Sequence, residues 1–197
     1  AQSTPATHTF AYDTTVPSSA VATPAAAAYN VAGWPGSLAG SAADSGSGVA
    51  SVAVSVQAPS GLYWDPAANA GAGGFTSAIE LYVAATGTTS WSYALAAAKL
   101  DDDGTYLVHS RSTDAAGNQQ SAVGSRTFTF DATAPASAVT FPAAGGSYNA
   151  AGWTGTLGGT ASDATSGVAS VALEIKRLGD NQYWNGSSWQ AGATTVA

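Results

Sequence analysis

Apolar and polar residues alternate with a period of two through the longer segments of this chain. None of those segments carries an apolar stripe at helical spacing. Val52, Val54 and Val56 alternate with Ser51, Ala53, Ser55 and Gln57. Tyr106, Val108 and Ser110 alternate with Leu107, His109 and Arg111, and Phe128 and Phe130 with Thr127 and Thr129. A half-buried β-strand needs this pattern, because successive side chains leave the backbone on opposite faces. Shorter strands are predicted near Val21 and over 37–42, 79–84 and 90–94. Clusters of Gly, Pro, Asn and Asp separate them and supply the turns.

The pattern also recurs along the chain, which makes repeat architecture the first question. Asp13-Thr-Thr-Val-Pro17 returns as Asp131-Ala-Thr-Ala-Pro135, an offset of 118. Tyr29-Asn30 followed by Ala32-Gly33-Trp34 returns as Tyr148-Asn149 followed by Ala151-Gly152-Trp153, an offset of 119. Ser47-Gly-Val-Ala-Ser-Val52 returns as Ser166-Gly-Val-Ala-Ser-Val171, and Tyr63-Trp64 returns as Tyr183-Trp184. The drifting offset places single-residue insertions in loops. Thr9-Phe10-Ala11-Tyr12-Asp13 matches Thr127-Phe128-Thr129-Phe130-Asp131. Residues 1–12 therefore read as the last strand of a preceding repeat, 13–130 as one complete repeat, and 131–197 as the first half of a following one. In the second copy Val171, Leu173 and Ile175 alternate with Ala172, Glu174 and Lys176. The same strand is expected there, although half a sandwich exposes unpaired edges and half a core.

About seven short strands in one repeat, all punctuated by turns, predict an all-β fold of two packed sheets. Asp103-Gly104-Thr105-Tyr106 introduces the penultimate strand. Immunoglobulin-like folds place a tyrosine corner there, with the phenol bonded back to the preceding loop. The repeat resembles the bacterial immunoglobulin-like modules of very long cell-surface and adhesin-type proteins. The matching residues are Asp131-Ala-Thr-Ala-Pro135, Thr160-Ala-Ser-Asp163 with Ser166-Gly-Val168, Asp103-Gly-Thr-Tyr106 and Thr113-Asp-Ala-Ala-Gly-Asn118. The resemblance covers 13–130 and the fragments on either side. At Asp13 the linker has Val16 where the second copy has Ala134, and the acidic position is intact. The resemblance implies tandem immunoglobulin-like β-sandwich modules, outside the cell, on a bacterial surface.

Composition narrows the partners. Charged residues make up 9% of the chain, against about 25% in ordinary globular chains, and the formal net charge is −7. A nucleic-acid partner calls for a basic stripe, and docking on anionic lipid calls for clustered Lys and Arg; neither is present. No run approaches the roughly 18 apolar residues of a membrane span. There is no Cys, so there is no disulfide, thiolate metal site or thiol nucleophile.

The acidic residues fall mostly in predicted loops. The strand ending at Ala43-Asp44 and the strand ending at Asp114 both run toward the incoming linker. Asp13, Asp44 and Asp114 should therefore meet at the end facing the preceding module. The turn Asp101-Asp102-Asp103 lies at the opposite end, where it would approach Asp131 and Asp163 of the next module. Three carboxylates from separate loops, with loop carbonyls and water, suit Ca²⁺, which takes six to eight oxygen ligands. The resemblance implies the same ion, since related surface repeats use calcium at such junctions. The competing reading is that these Asp residues only cap turns through side-chain-to-backbone bonds.

Catalytic chemistry finds little support, and no enzyme is expected. His109 alternates outward on its strand and reads as a solvated residue. Glu80 and Glu174 fall in predicted strands of different modules, so they make no glycosidase pair. Trp34, Trp91 and Trp153 read as core. Tyr63, Trp64, Tyr183 and Trp184 have two readings: loop packing, or stacking on sugar rings. The leading expectation is a non-catalytic stalk or spacer in adhesion, partnered by neighbouring modules, with host or matrix glycan or protein engaged through other domains. The alternatives are a glycan-binding module, or a filament subunit whose residues 1–12 complete the unfinished half of another copy by strand addition.

Overall fold

Strands form where the alternation is longest, and they pair where both faces of a strand find cover. The computed structural model of the chain describes residues 7–101 and 103–197. It divides into two units, between Ala132 and Thr133. The fold is all-β, as the alternation predicts.

The first unit holds β1 (Ser18–Thr23), β2 (Ala28–Tyr29), β3 (Ser37–Ala43), β4 (Val49–Gln57), β5 (Tyr63–Asp65), β6 (Gly74–Ser77), β7 (Val83–Ala84), β8 (Thr86–Gly87), β9 (Ser90–Ala94), β10 (Gly104–Asp114) and β11 (Gly124–Phe130). One sheet runs β1-β3-β9-β8; the other runs β2-β11-β10-β4-β5-β6, with β7 also paired to β4. Every pairing is antiparallel except β2 with β11. Among the described residues, helical turns occur only at Ala68–Gly71, where Asn69 and Ala70 have positive φ, and at Ala97–Lys99. Among the described residues, no helix is long and apolar enough to cross a membrane.

The two sheets share one core. Val21, Leu38, Ala42 and Trp91 come from the first sheet, and Val52, Val54, Val56, Tyr106, Val108, Phe128 and Phe130 from the second. Burying each Val, Leu or Phe contributes roughly 1.5–3 kcal/mol. Trp34 stacks on Phe128 at 4.7 Å, and Tyr106 stacks on the opposite side of Phe128 at 5.2 Å. Gly40 is required where β1, β3 and Trp91 meet, since a Cβ there would lie 1.9 Å from the Ala20 carbonyl oxygen. The predicted corner is present: the Tyr106 phenol oxygen accepts from the Asp101 N–H at 2.5 Å and lies 3.3 Å from the Asp101 carbonyl. Burial pushes the Tyr106 phenol up to about 12.

Two expectations need correction in this unit. The pattern predicts about seven strands, but its described residues form eleven. β2, β7 and β8 are two-residue pairings, too short to leave an alternation. The predicted strand over 79–84 survives only as β7, and Ile79 is 76% exposed. Instead, the segment before β7 crosses the outer face of β10. There Tyr82 receives Arg111 at 3.9 Å from its ring centre, and Glu80 receives His109.

The second unit holds β12 (Ala136–Phe141), β13 (Gly158–Ser162), β14 (Lys176–Arg177), β15 (Gln182–Trp184) and β16 (Trp189–Gln190). β12 and β13 pair as β1 and β3 do, with the same register shift near the end of the first strand. The long strand expected over Val171–Ile175 does not form: Leu173 bridges Val196, and regular pairing starts only at Lys176. The β4 strand lies along β10, whereas no described strand runs along residues 168–173. Trp153 is accordingly 45% exposed where Trp34 is 7%, and no residue of 133–197 is buried. A cleft of about 410 Å³ opens between β12–β13 and residues 171–174.

Of the strand expected over 1–12, residues 1–6 lie outside the described residues, and 7–12 belong to no strand. Removing the corner hydroxyl tests how much it holds. Tyr106→Phe should lower the unfolding free energy by roughly 1 kcal/mol, the net worth of a side-chain hydrogen bond, in urea titrations. An unchanged midpoint would show that the Asp101 bonds do not hold the loop.

Candidate metal centre

The inward face of β10 changes chemistry along its length. It begins with Tyr106 and Val108 in the apolar core and continues as Ser110, Ser112 and Asp114, all buried. The polar half is satisfied by Gln120, whose Oε1 accepts from the hydroxyls of Ser19 at 2.7 Å and Ser112 at 3.0 Å. Gln120 Nε2 donates to the Ala122 carbonyl at 2.6 Å. This network ties β1 to β10 and delivers Asp114, 2% exposed, to the end of the module that receives the incoming chain.

Asp13, Asp44 and Asp114 converge there. One carboxylate oxygen from each lies within 4.8 Å of the others. Asp44 follows β3 directly and folds the loop it opens: its Oδ2 accepts the N–H of Gly46 at 3.0 Å and of Gly48 at 2.7 Å. Asp13 accepts the N–H of Thr15 at 2.9 Å and of Ser47 at 2.6 Å. The Ser47 hydroxyl and these backbone donors hold the Asp13 carboxyl below its ordinary value. Gly46 makes that approach possible, because a Cβ there would fall 2.2 Å from Asp13 Oδ2. Asn118 joins the linker to the last loop. Its backbone N–H and side-chain amide each donate to Asp114 at 2.8 Å, and the amide also reaches the Asp13 carbonyl at 3.1 Å.

Turn chemistry is therefore real at these residues, but it leaves one atom over. Asp44 Oδ1 is buried and has no hydrogen-bond partner. Buried carboxylate oxygens are normally bonded, and three converging carboxylates repel one another. A cation would answer both problems. Two oxygens bound to one Ca²⁺ stand at most about 4.6–5.2 Å apart, and the three carboxylate oxygens, all within 4.8 Å of one another, fall inside that limit.

The other acidic candidates stand apart from this group. Asp163 repeats the Asp44 turn in the second unit, accepting the N–H groups of Thr165, Ser166 and Gly167 at 2.9–3.1 Å. Asp131 is buried at the end of the first unit, and its N–H donates to the Tyr29 carbonyl. Asp101 serves the tyrosine corner, and Asp102 lies outside the described residues. Among the described residues, Asp13, Asp44 and Asp114 form the one set of three close enough to share an ion.

The aromatic candidates divide by copy. Trp64 is 6% exposed, packs edge-on against Phe75 and donates its indole N–H to the Tyr93 hydroxyl at 2.7 Å. It is a core residue. Tyr63 is half-buried beside it. Tyr183 and Trp184 are half-buried, with Lys176 over the Tyr183 ring and Trp184 against Trp189 at 5.5 Å.

One constellation leaves no mark in the sequence pattern. Glu80 Oε1 accepts the Ser55 hydroxyl at 2.8 Å and lies 2.7 Å from His109 Nδ1, so His109 is half-buried and paired rather than solvated. Serine, histidine and carboxylate meet here, yet both partners bind the same carboxylate oxygen. The histidine does not stand between acid and hydroxyl, so the three do not adopt the serine–histidine–acid order of a hydrolase triad. The cluster anchors the 78–82 segment.

Comparison with family models, with curated proteins and with solved structures finds no match.

Burial works to raise the Glu80 carboxyl, but hydrogen bonds from His109, Ser55 and Tyr82 outweigh it and hold it below its ordinary 4.5. A depressed carboxyl contributes stability above the unfolded-state value and loses it as pH falls through the folded-state value. The stability gap between the parent and Glu80→Gln should stay constant above about pH 4.5 and close below it, in urea titrations across pH. A gap that widens on acidification would contradict this assignment.

Proposed function

We propose that the chain is a non-catalytic structural repeat: tandem immunoglobulin-like β-sandwich modules of an extracellular bacterial surface protein or filament, serving as a spacer in adhesion. In this reading Asp13, Asp44 and Asp114 hold a structural Ca²⁺ that stiffens the joint where one module receives the chain from the module before it. The observation that carries the proposal is the buried, unpartnered Asp44 Oδ1 inside a triad that spans the linker, the loop after β3 and the end of β10.

The supporting chemistry is mechanical. Asp13 belongs to the incoming linker, Asp44 to the loop after β3 and Asp114 to the end of β10. An ion held by all three would convert linker rotation into bond breaking. The proline at Pro17 and the short Asp-Thr-Thr-Val-Pro segment already restrict that linker. Repetition of such joints would give a stalk whose reach depends on calcium. A glycan-binding reading has less support, since Trp64 is committed to the core of the complete module.

Thermal unfolding with calcium and with chelator tests the proposal. An ion that binds only the native state stabilises by about 2.7 kcal/mol at a hundredfold excess over Kd, so the midpoint should rise by several degrees. Asp114→Asn should abolish the rise. Gly46→Ala keeps all three carboxylates but crowds Asp13, and it should weaken the rise without eliminating the fold. A midpoint indifferent to calcium, or a rise that survives in Asp114→Asn, would overturn the proposal.

A further inference from the structure

The chain enters the complete module at one end and leaves it at the other. Asp13 lies beside Asp114, the last residue of β10, whereas Phe130, the last residue of β11, pairs opposite Gly104, the first residue of β10. β10 has eleven residues, so entry and exit stand roughly 34 Å apart along the strands, at about 3.4 Å per residue. β1 rises from the entry end, with Ser18 opposite Ala43 and Thr23 opposite Ala39, and β11 rises to the exit end. Tension along the chain therefore runs parallel to the first and last strands. Tension drawn along a strand loads its cross-strand hydrogen bonds together. Tension that draws two neighbouring strand ends apart loads them one at a time.

Two joins hold these strands against sliding. Toward the entry end, buried Ser19 of β1 is pinned to the opposite sheet. Its hydroxyl donates to Gln120 Oε1 at 2.7 Å and lies 2.9 Å from the Ser110 hydroxyl, and Gln120 Nε2 reaches the Ser19 carbonyl at 3.4 Å. Gly124 fits beneath that carbonyl, since a Cβ there would fall 2.5 Å from its oxygen. At the exit end β2 pairs in parallel with β11: the Thr129 N–H donates to the Ala27 carbonyl at 2.8 Å and the Asp131 N–H to the Tyr29 carbonyl at 2.9 Å. The segment leading into β2 is fastened too. The Tyr29 phenol oxygen accepts the N–H groups of Ala25 and Ala26, each at 2.7 Å, and the Arg126 guanidinium donates to the Ala25 carbonyl. Phe128 locks the register, stacked on Trp34 at 4.7 Å and edge-on to Tyr29 at 6.3 Å. A slip of one residue would turn Phe128 and Phe130 out of the core and bring Thr127 and Thr129 in.

We infer that the complete module is a load-bearing clamp. Tension between Asp13 and Asp131 is carried in shear by the Ser19–Gln120 pin and the β2–β11 pairing, and these two joins set the force at which the module opens. A spacer need only fix a distance; this module also resists pull along one axis. The inference rests on strand order and not on the ion, and it holds in chelator.

Single-molecule pulling of the full chain in chelator tests it. The chain has no Cys, so introduced pairs take the handles at chosen points. Val16→Cys with Ala132→Cys loads the module along its strands. Val31→Cys with Ala132→Cys draws apart the neighbouring ends of β2 and β11 and peels them. All three positions are exposed. Rupture on the first axis should need about twofold more force or greater, because forced opening follows the unfolding rate and only that axis loads the bonds together. On the first axis, Gln120→Met and Thr129→Pro should each lower the rupture force. Thr129→Pro removes the one N–H that faces Ala27. Glu80→Gln loosens the 78–82 segment on the outer face of β10, away from both joins, so it should lower the urea midpoint and leave the rupture force unchanged. The two-axis comparison needs neither join variant to fold. Equal forces on the two axes, join variants that rupture at the parent force, or a Glu80→Gln chain weakened as much as they are would overturn the proposal.

Discussion

Everything in the complete module depends on β10 lying along β4. The pairing runs from Leu107 opposite Gln57 to Asp114 opposite Val49, almost the full length of both strands. It gives the Val52–Val54–Val56 face a closed backbone on one side and a core to enter. The chain contains its own control for this statement. The sequence Ser-Gly-Val-Ala-Ser-Val occurs twice with no change, at Ser47–Val52 and at Ser166–Val171. Beside β10 its last valine is 1% exposed; where no described strand runs alongside, it is 45% exposed and no regular strand forms. Alternation licenses a strand, but a partner makes one.

The same strand links core to joint. Its inner face starts apolar, turns to hydroxyls satisfied by Gln120, and ends at Asp114. The core therefore sets the position of the carboxylate, and Asn118 and Ser47 tie that carboxylate's loop to the linker and to the loop after β3. Spacing at the acidic cluster is held by backbone donors and by the absence of a side chain at Gly46. An ion there would act on a frame already built by the fold, so it would stiffen the joint without shaping the module.

Much of this was legible in the residues. Period-two alternation located β1, β3, β4, β9, β10 and β11, because each pairs over enough residues to imprint a pattern. Strand direction alone placed Asp13, Asp44 and Asp114 at one end, since β3 and β10 both run toward the linker. The corner at Tyr106 was legible because its partner is five residues away. What was hidden is non-local. Glu80 reaches Ser55 and His109 across 25 and 29 residues, and nothing in its own neighbourhood announces a loop crossing a sheet. The exposure of Trp153 was hidden for the same reason: its sequence neighbours are like those of Trp34, and the difference lies in Phe128 and Phe130 of β11, which pack on Trp34 from nearly a hundred residues away.

Amide hydrogen exchange, read segment by segment with and without calcium, addresses the account most directly, because protection reports local opening free energy. Residues 51–57 should exchange only through global unfolding, while 170–176 exchange orders of magnitude faster despite their shared pattern. Calcium should slow exchange at 13–15, 44–48 and 114–118 and leave the rest unchanged. Equal protection in the two copies would contradict the role given to β10, and calcium protection absent from those three segments would contradict the joint.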